Sequence, residues 1–429
     1  MYIRRSWDPL YGRIDFSDFE YSLLLLPEIQ RLRYVRMCNI NSMLVTGASE
    51  ISRFEHIIGV MHLAKQWAKC QKLPESESRD LVAAAALHDM QTGPFGHSMQ
   101  YVLEDSLEEE QFLHEDLKHG RRVLFHQQVL AGAAFAGKPF SAARTLGAKW
   151  EKVTSIIHGD ELYGPLIAGT MDLDNIDNVV RLAFHVGLVD QKEKRLPLDL
   201  VNVLSIKDGQ LTFPQTAISL VRKWQKIRTN LYKLLLLDWA EFSAKAMLTK
   251  AIELAAKHKI IGADSWIKTD LEFLDYIQNQ SIGAPQEVKE LVLRLRRGEL
   301  YNPLIMLSSS STEKYKNISS SDSKTRIEHA ILASGKYKTS RILLHFILDK
   351  GKTERSVAFS TLESSETITI GKNSNTLLIG IFSQSLLSPS EQREITKSCV
   401  NILETEGFRN LKTFNDPMGT APMSQTSLL

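Results

Sequence analysis

From Pro27 to about Arg297, apolar residues return at three- and four-residue intervals, and Pro and Gly collect between the periodic segments rather than inside them. A chain patterned in this way over most of its length satisfies the pattern only as packed helices. The segment from Phe54 through Cys70 shows it directly: Phe54, Ile57, Ile58, Met61, Ala64 and Trp67 or Ala68 fall on one broad face. A second helix is predicted from about Arg79 to Leu87, where Leu81, Val82, the run Ala83–Ala86 and Leu87 make the segment apolar nearly all round, so it belongs in the middle of the bundle. Gln91-Thr-Gly-Pro-Phe-Gly then breaks the pattern. Gly93 and Pro94 suit the N-cap and first position of a following helix, whose positive end would open beside His88 and Asp89 and hold an anion.

The fold class is therefore mainly α, with a different texture at the C-terminal end. Residues 308–324, rich in Ser, are too polar to form a core element and read as a linker or long loop. Beyond them Arg341–Leu348, Arg355–Ser360, Glu366–Ile370 and Thr376–Phe382 have the apolar, β-branched content of strands, broken at Gly351 and Gly371. Ser390–Glu406 reads as one helix capped at Ser388-Pro-Ser. The expected division is a helical catalytic region over 1–307, the linker over 308–324, a small α+β subdomain over 325–409 and a polar tail over 410–429. Among the 429 residues, 43% are hydrophobic, which excludes wholesale disorder. The 52 basic and 50 acidic side chains leave a net charge of +2, so binding to nucleic acid as the main partner, or to a membrane surface, would need a local patch. No apolar run approaches the ~20 residues of a membrane span. Cys38, Cys70 and Cys399 are widely separated and suggest neither a disulfide framework nor a zinc site, which points to a reducing, cytoplasmic setting.

Five histidines fall at informative points: His56, His88, His97, His114 and His119. His88-Asp89 closes the Ala-rich helix. Adjacent helical residues point about 100° apart, so both can address one metal only at a helix edge, with other ligands arriving from elsewhere. His56 and the acids of Met171-Asp-Leu-Asp-Asn-Ile-Asp, namely Asp172, Asp174 and Asp177, are the candidates. Two imidazoles and two carboxylates suit Mg²⁺, Mn²⁺, Fe²⁺, Co²⁺, Ni²⁺ or Zn²⁺ without choosing among them.

The ordered text around these residues is more specific. Pro27-Glu-Ile-Gln-Arg-Leu-Arg-Tyr-Val-Arg, Thr46-Gly-Ala-Ser, Arg53-Phe-Glu-His56-Ile-Ile-Gly-Val-Met-His-Leu-Ala and His88-Asp-Met-Gln-Thr-Gly-Pro-Phe-Gly-His97 follow one another. This series resembles the HD-domain phosphohydrolases, and within them the deoxynucleoside-triphosphate triphosphohydrolases, over about Asp8 to Leu188 and more weakly through about Glu253. The resemblance implies a helical HD-domain bundle and a divalent metal ion held by His56, His88, Asp89 and Asp174. It implies Arg53 against the substrate phosphates, His114 and Glu115 as a catalytic pair, His97 near the α-phosphate and Arg228 on the polyphosphate. The products would be a deoxynucleoside and inorganic triphosphate. Gln30 and Arg33 match positions of a regulatory nucleotide site shared between subunits, which implies an allosteric homo-oligomer and roles in antiviral defence or nucleotide homeostasis.

Departures from the pattern bear on substrate and rate. Thr92 stands where close relatives carry a second histidine, and Gln100 stands where an acid is expected. Asn178 and Leu182 replace a Tyr and an Asp that read the sugar, and Leu25 replaces an acid that reads guanine in the regulatory site. The alternatives are an HD phosphohydrolase acting on a signalling nucleotide or a monophosphate, and a degenerate HD module that senses nucleotides.

Overall fold

The computed structural model describes residues 4–38, 50–96, 142–261, 263–279, 285–337, 339, 341–361 and 367–414. Helices dominate, as the periodicity requires. Arg53–Cys70 forms one helix, begun by Ser52, whose hydroxyl accepts from the Glu55 amide. Glu75–Leu87 forms the next, starting one turn earlier than its apolar content alone suggests. Its Leu81–Leu87 stretch is buried throughout. Around these two pack the helices Trp150–His158, Leu173–His185, Leu196–Val203 and Ile218–Leu237, and together they enclose the main hydrophobic core. A short hairpin, β1 (Arg4–Asp8) and β2 (Gly12–Phe16), closes one end of it. A second hairpin, β3 (Ser205–Lys207) and β4 (Gln210–Phe213), follows the Leu196–Val203 helix. Neither hairpin is marked by the apolar periodicity of the sequence.

The expected linker is instead folded. β5 (Asn302–Ser309) runs into the Ser-rich stretch, and the helices Tyr315–Ile318 and Ser321–Ala333 occupy much of the rest. Burial of Ser309 and Ser311 is made tolerable by hydrogen bonds: the Ser309 hydroxyl donates to the Arg409 carbonyl at 2.7 Å, and the Arg409 amide donates to Ser311 Oγ at 2.9 Å. Serine content here marks satisfied polar positions within a domain. The strands β6 (Ile342–Leu348), β7 (Val357–Thr361), β8 (Thr367–Ile370) and β9 (Leu377–Ser383) lie close to their expected places, as does the Pro389–Thr405 helix, which Ser388 and Glu391 cap reciprocally. The start of the expected tail adds β10 (Lys412–Thr413), which pairs with β5.

These strands form two sheets that tie the C-terminal part to the helical body. In the antiparallel order β10-β5-β9-β6, Leu343, Ile347, Leu378 and Phe382 face the Trp239–Lys257 and Gln286–Arg297 helices, while Leu344, Phe346, Leu377, Ile379 and Ile381 face the two outer helices. In the order β3-β4-β7-β8, β7 lies parallel to β4, with Thr212 opposite Ser360 and Phe213 opposite Thr361. The β6–β7 connection is thereby drawn over the Ile218–Leu237 helix.

Candidate metal centre

Three helix ends converge on one point. His56 stands in the first turn of Arg53–Cys70 and Asp174 in the first turn of Leu173–His185, while His88 is the C-cap of Glu75–Leu87. Asp172 fixes the Asp174 turn as its N-cap, accepting from the Asn175 amide at 2.7 Å, so it shapes the site from outside. His56 Nε2 lies 2.8 Å from Asp174 Oδ1, and His88 Nε2 lies 3.9 Å from the same oxygen. One ligand atom from each of these three residues falls within 4.8 Å of the others. The two imidazoles meet edge to face at 5.4 Å.

Each imidazole is held by its other nitrogen, so that Nε2 points inward. His88 donates Nδ1–H to the Ala85 carbonyl at 2.9 Å, and its buried Nε2 is left without a hydrogen-bond partner. That orphaned lone pair, with the His56 and Asp174 atoms facing it, fits a divalent cation. His56 Nδ1 lies 2.7 Å from Asp177 Oδ2. Asp177 in turn accepts from Arg181 Nε at 2.8 Å and from the Tyr11 hydroxyl at 2.6 Å. Arg181, fully buried, also reaches Asp8 at 2.9 Å and Glu55 at 2.7 Å. Gly59 makes room for this array: a Cβ there would sit 2.2 Å from both Arg181 Nη2 and Asp177 Oδ1.

The electrostatics follow from that crowding. Burial alone would lower the His56 pKa, but the hydrogen bonds and charges of Asp174 and Asp177 prevail and raise it to about 9. Burial favours neutral Asp177, yet the Arg181 charge and the His56 hydrogen bond hold its carboxyl far below the usual range. A cation is thus expected between the carboxylates: a proton on His56, or a metal ion that displaces it.

The opposite side is arranged differently. Arg53 Nη1 lies 2.7 Å from both carboxylate oxygens of Asp89, and Thr92 Oγ1 donates to Asp89 Oδ1 at 3.0 Å. Asp89 Oδ2 is 3.7 Å from His88 Nε2, so it borders the three-residue group while engaged by Arg53. Arg53 is buried against Asp89. The expected helix start at Gly93-Pro94 is absent through Gly96: Phe95 and Gly96 take positive φ angles in a turn, and Arg53 Nη2 lies 3.0 Å from where a Gly96 Cβ would be.

Residues 53–133 match the family model described as HD domain. This chain carries an HD domain. Deoxynucleoside triphosphate triphosphohydrolase SAMHD1 of Bos taurus is 35% identical over 97 residues, 21% of this chain and 16% of that protein. Uncharacterized protein YwfO of Bacillus subtilis is 26% identical over 258 residues, 58% of this chain and 55% of that one. The chain therefore spans about a sixth of the first relative and about half of the second. The fold is that of a phosphohydrolase from Bacteroides thetaiotaomicron, with a TM-score of 0.62 at 15% identity, covering 88% of this chain and 99% of that one. A hypothetical protein from Aquifex aeolicus gives the same TM-score of 0.62 at 16% identity, over 94% and 100% of the two chains.

The remaining expected residues are distributed as follows. His97, His114 and Glu115 lie outside the described residues, as does Gln100. Arg228 is buried on the Ile218–Leu237 helix, 4.5 Å above the Tyr232 ring. Arg33 Nε donates to Gln30 Oε1 at 2.8 Å, its guanidinium stacks 3.8 Å above Phe54, and it lines a cleft of about 400 Å³ with Arg36, Glu50, Ser52 and Asp270. Asp177, weighed in sequence only as a possible ligand, proves to be the support behind His56. Its spacing of three from Asp174 was the available signal; Tyr11, Asp8 and Arg181 carried none.

Proposed function

We propose that the chain is a metal-dependent HD phosphohydrolase that cleaves deoxynucleoside triphosphates into deoxynucleoside and inorganic triphosphate. The observation that carries this reading is the inward-facing set of His56, His88 and Asp174, with each histidine held through its other nitrogen. His56, His88, Asp174 and Asp89 would hold the ion, Asp89 by exchanging part of its Arg53 contact. A bound divalent ion there neutralises phosphate charge and acidifies a water. Arg53, released toward the site, and Arg228 bind phosphate oxygens bidentately. His114, partnered by Glu115, would donate a proton to the departing 5′-oxygen as the bond from α-phosphorus to that oxygen breaks and the water oxygen joins phosphorus; the proton the water releases would pass to solvent and return to His114, and His97 would contact the α-phosphate.

Regulation by a nucleotide at Gln30 and Arg33, and assembly into a homo-oligomer, belong to the same proposal; the cleft beside Arg33 supports the first. Thr92, which holds Asp89 rather than supplying an imidazole, points to modest basal turnover. The test is to incubate the protein with each deoxynucleoside triphosphate and Mn²⁺ or Mg²⁺ and resolve the phosphorus products. Tripolyphosphate supports the reading; pyrophosphate with monophosphate, or no turnover of any substrate, refutes it.

A further inference from the structure

The segment 90–96, directly after His88-Asp89, is neither helix nor strand. It carries Gly93 and Gly96 and has positive φ angles of 54° at Phe95 and 56° at Gly96, the first in a region that non-glycine residues rarely occupy. Such a segment keeps its shape only where its surroundings impose it. Here the surroundings are residues 266–273 and Arg31. Trp266 Nε1 donates to the Gln91 carbonyl at 2.7 Å. Arg31 Nη2 donates to the Thr92 carbonyl, and its Nη1 donates to the Lys268 carbonyl at 3.1 Å. The Phe95 ring meets Phe273 edge to face at 6.3 Å.

Asp270 completes this support. It is the first residue of the helix Asp270–Asn279, is buried, and divides its carboxylate between two segments: Oδ1 accepts from the Phe95 amide at 2.8 Å, and Oδ2 accepts from the Arg36 amide at 3.0 Å. Both ends lead to Arg53. At the first, Gly96 follows Phe95, and the three atoms nearest its Cβ position, at 3.0, 3.8 and 3.9 Å, all belong to the Arg53 guanidinium. At the second, Arg36 bridges Ser52, and the Arg53 amide donates to the Val35 carbonyl at 2.9 Å. Val35, Arg36, Ser52 and Asp270 also line the cleft of about 400 Å³ beside Arg33. The Arg53 guanidinium is therefore backed by a turn that Asp270 anchors, while its Nη1 faces Asp89. Its Nε is buried and makes no hydrogen bond among the described residues, so the group keeps donor capacity for a further acceptor.

We propose that Asp270 is a positioning residue that keeps the Arg53 guanidinium on Asp89 and joins that contact to the cleft wall at Arg36. A divalent cation and Arg53 compete for the Asp89 carboxylate, so the anchor on the turn sets how readily the cation displaces Arg53 and frees it for a phosphate. The inference rests on the proposed phosphohydrolase reading for the cation's place at Asp89. It gives a segment that supplies none of the expected ligands control over the exchangeable side of the centre.

The test uses the full chain, Asp270→Asn, Arg53→Gln and their double variant, with Ile277→Val as a loss of packing in the buried face of the same helix. The single side-chain oxygen of Asn replaces only one of the two carboxylate acceptors. Hydrogen exchange at the Phe95 or the Arg36 amide should therefore quicken about tenfold, the size of one lost hydrogen bond. Asp270→Asn should melt below wild type and yet bind Mn²⁺ about fivefold more tightly by calorimetric titration, because a loosened Arg53 yields Asp89 more easily. A residue serving the fold alone would lower the melting temperature without that gain, as Ile277→Val should. In the Arg53→Gln background, Asp270→Asn should leave Mn²⁺ affinity unchanged. Unchanged or weaker Mn²⁺ binding in Asp270→Asn, the same gain in Ile277→Val, or an equal gain in the Arg53→Gln background overturns the proposal, while Mn²⁺ binding by wild type keeps the metal reading standing. If wild type binds no Mn²⁺, the metal reading fails and thermal melts decide the positioning role. A double-variant shift well below the sum of the single shifts then supports it, and additive shifts overturn it.

Discussion

The two sides of the candidate metal centre are built on different principles. On the His56 side, Asp177, Arg181, Tyr11, Asp8 and Glu55 form a closed network in which almost every charge has a fixed partner before any ligand arrives. On the His88 side, the imidazole is held by one main-chain carbonyl, and Asp89 is held by Arg53, a residue expected at the substrate. One side is prearranged and the other is exchangeable. A cation entering the site can use the first as found, but it must compete with Arg53 for the second.

The largest effect should come from breaking the prearranged side. Asp177→Ala leaves Arg181 buried without its main counter-charge and frees the His56 ring, and should lose about 3–5 kcal/mol of stability. Urea denaturation measures it, and added Mn²⁺ should not restore the loss. On the exchangeable side, Arg53→Gln should also destabilise the metal-free protein, by about 2–4 kcal/mol, since Asp89 is then buried without its guanidinium. Here Mn²⁺ should recover much of the loss, because the ion takes the carboxylate that Arg53 leaves. Equal rescue, or equal failure of rescue, in the two variants would remove the distinction between the sides.

The pH dependence sharpens the same comparison. The folded pKa of His56, about 9, is above its unfolded value, so its contribution to stability is complete below about pH 6.5 and is lost as pH rises through 9. Asp177 is shifted the opposite way, so its contribution is present above about pH 4 and is lost as pH falls. Metal-free protein should therefore weaken between pH 6.5 and 9, as followed by thermal melts, and metal-loaded protein should not. The smallest effect should be that of Thr92→Val, which removes one hydrogen bond to Asp89 and should cost about 0.5–1.5 kcal/mol.

Much of the architecture was legible because it is carried by local pattern. The buried Ala83–Ala86 run, the apolar face of Arg53–Cys70 and the Ser388–Glu391 cap each announce themselves within a few residues. The Ser-rich stretch misled for a physical reason: Ser309 and Ser311 are buried by bonds to Arg409, about a hundred residues away, and no local window contains that partner. The helix expected at Gly93-Pro94 is replaced by a turn in which Trp266 packs 3.0 Å from the Gly93 Cβ position and donates to the Gln91 carbonyl at 2.7 Å, again a distant partner. The site divides in the same way. His56, His88 and Asp174 were named by motif, whereas the Tyr11–Asp177 contact joins residues 166 apart.

The central claim is that His56, His88 and Asp174 hold a divalent ion, and metal stoichiometry tests it most directly. After dialysis against trace Mn²⁺, elemental analysis should find close to one equivalent per chain in wild type and close to none in Asp174→Ala and in the His88→Ala, Asp89→Ala double variant, all of them folded by circular dichroism. Wild type without bound metal, or variants that retain the wild-type equivalent, would contradict the account.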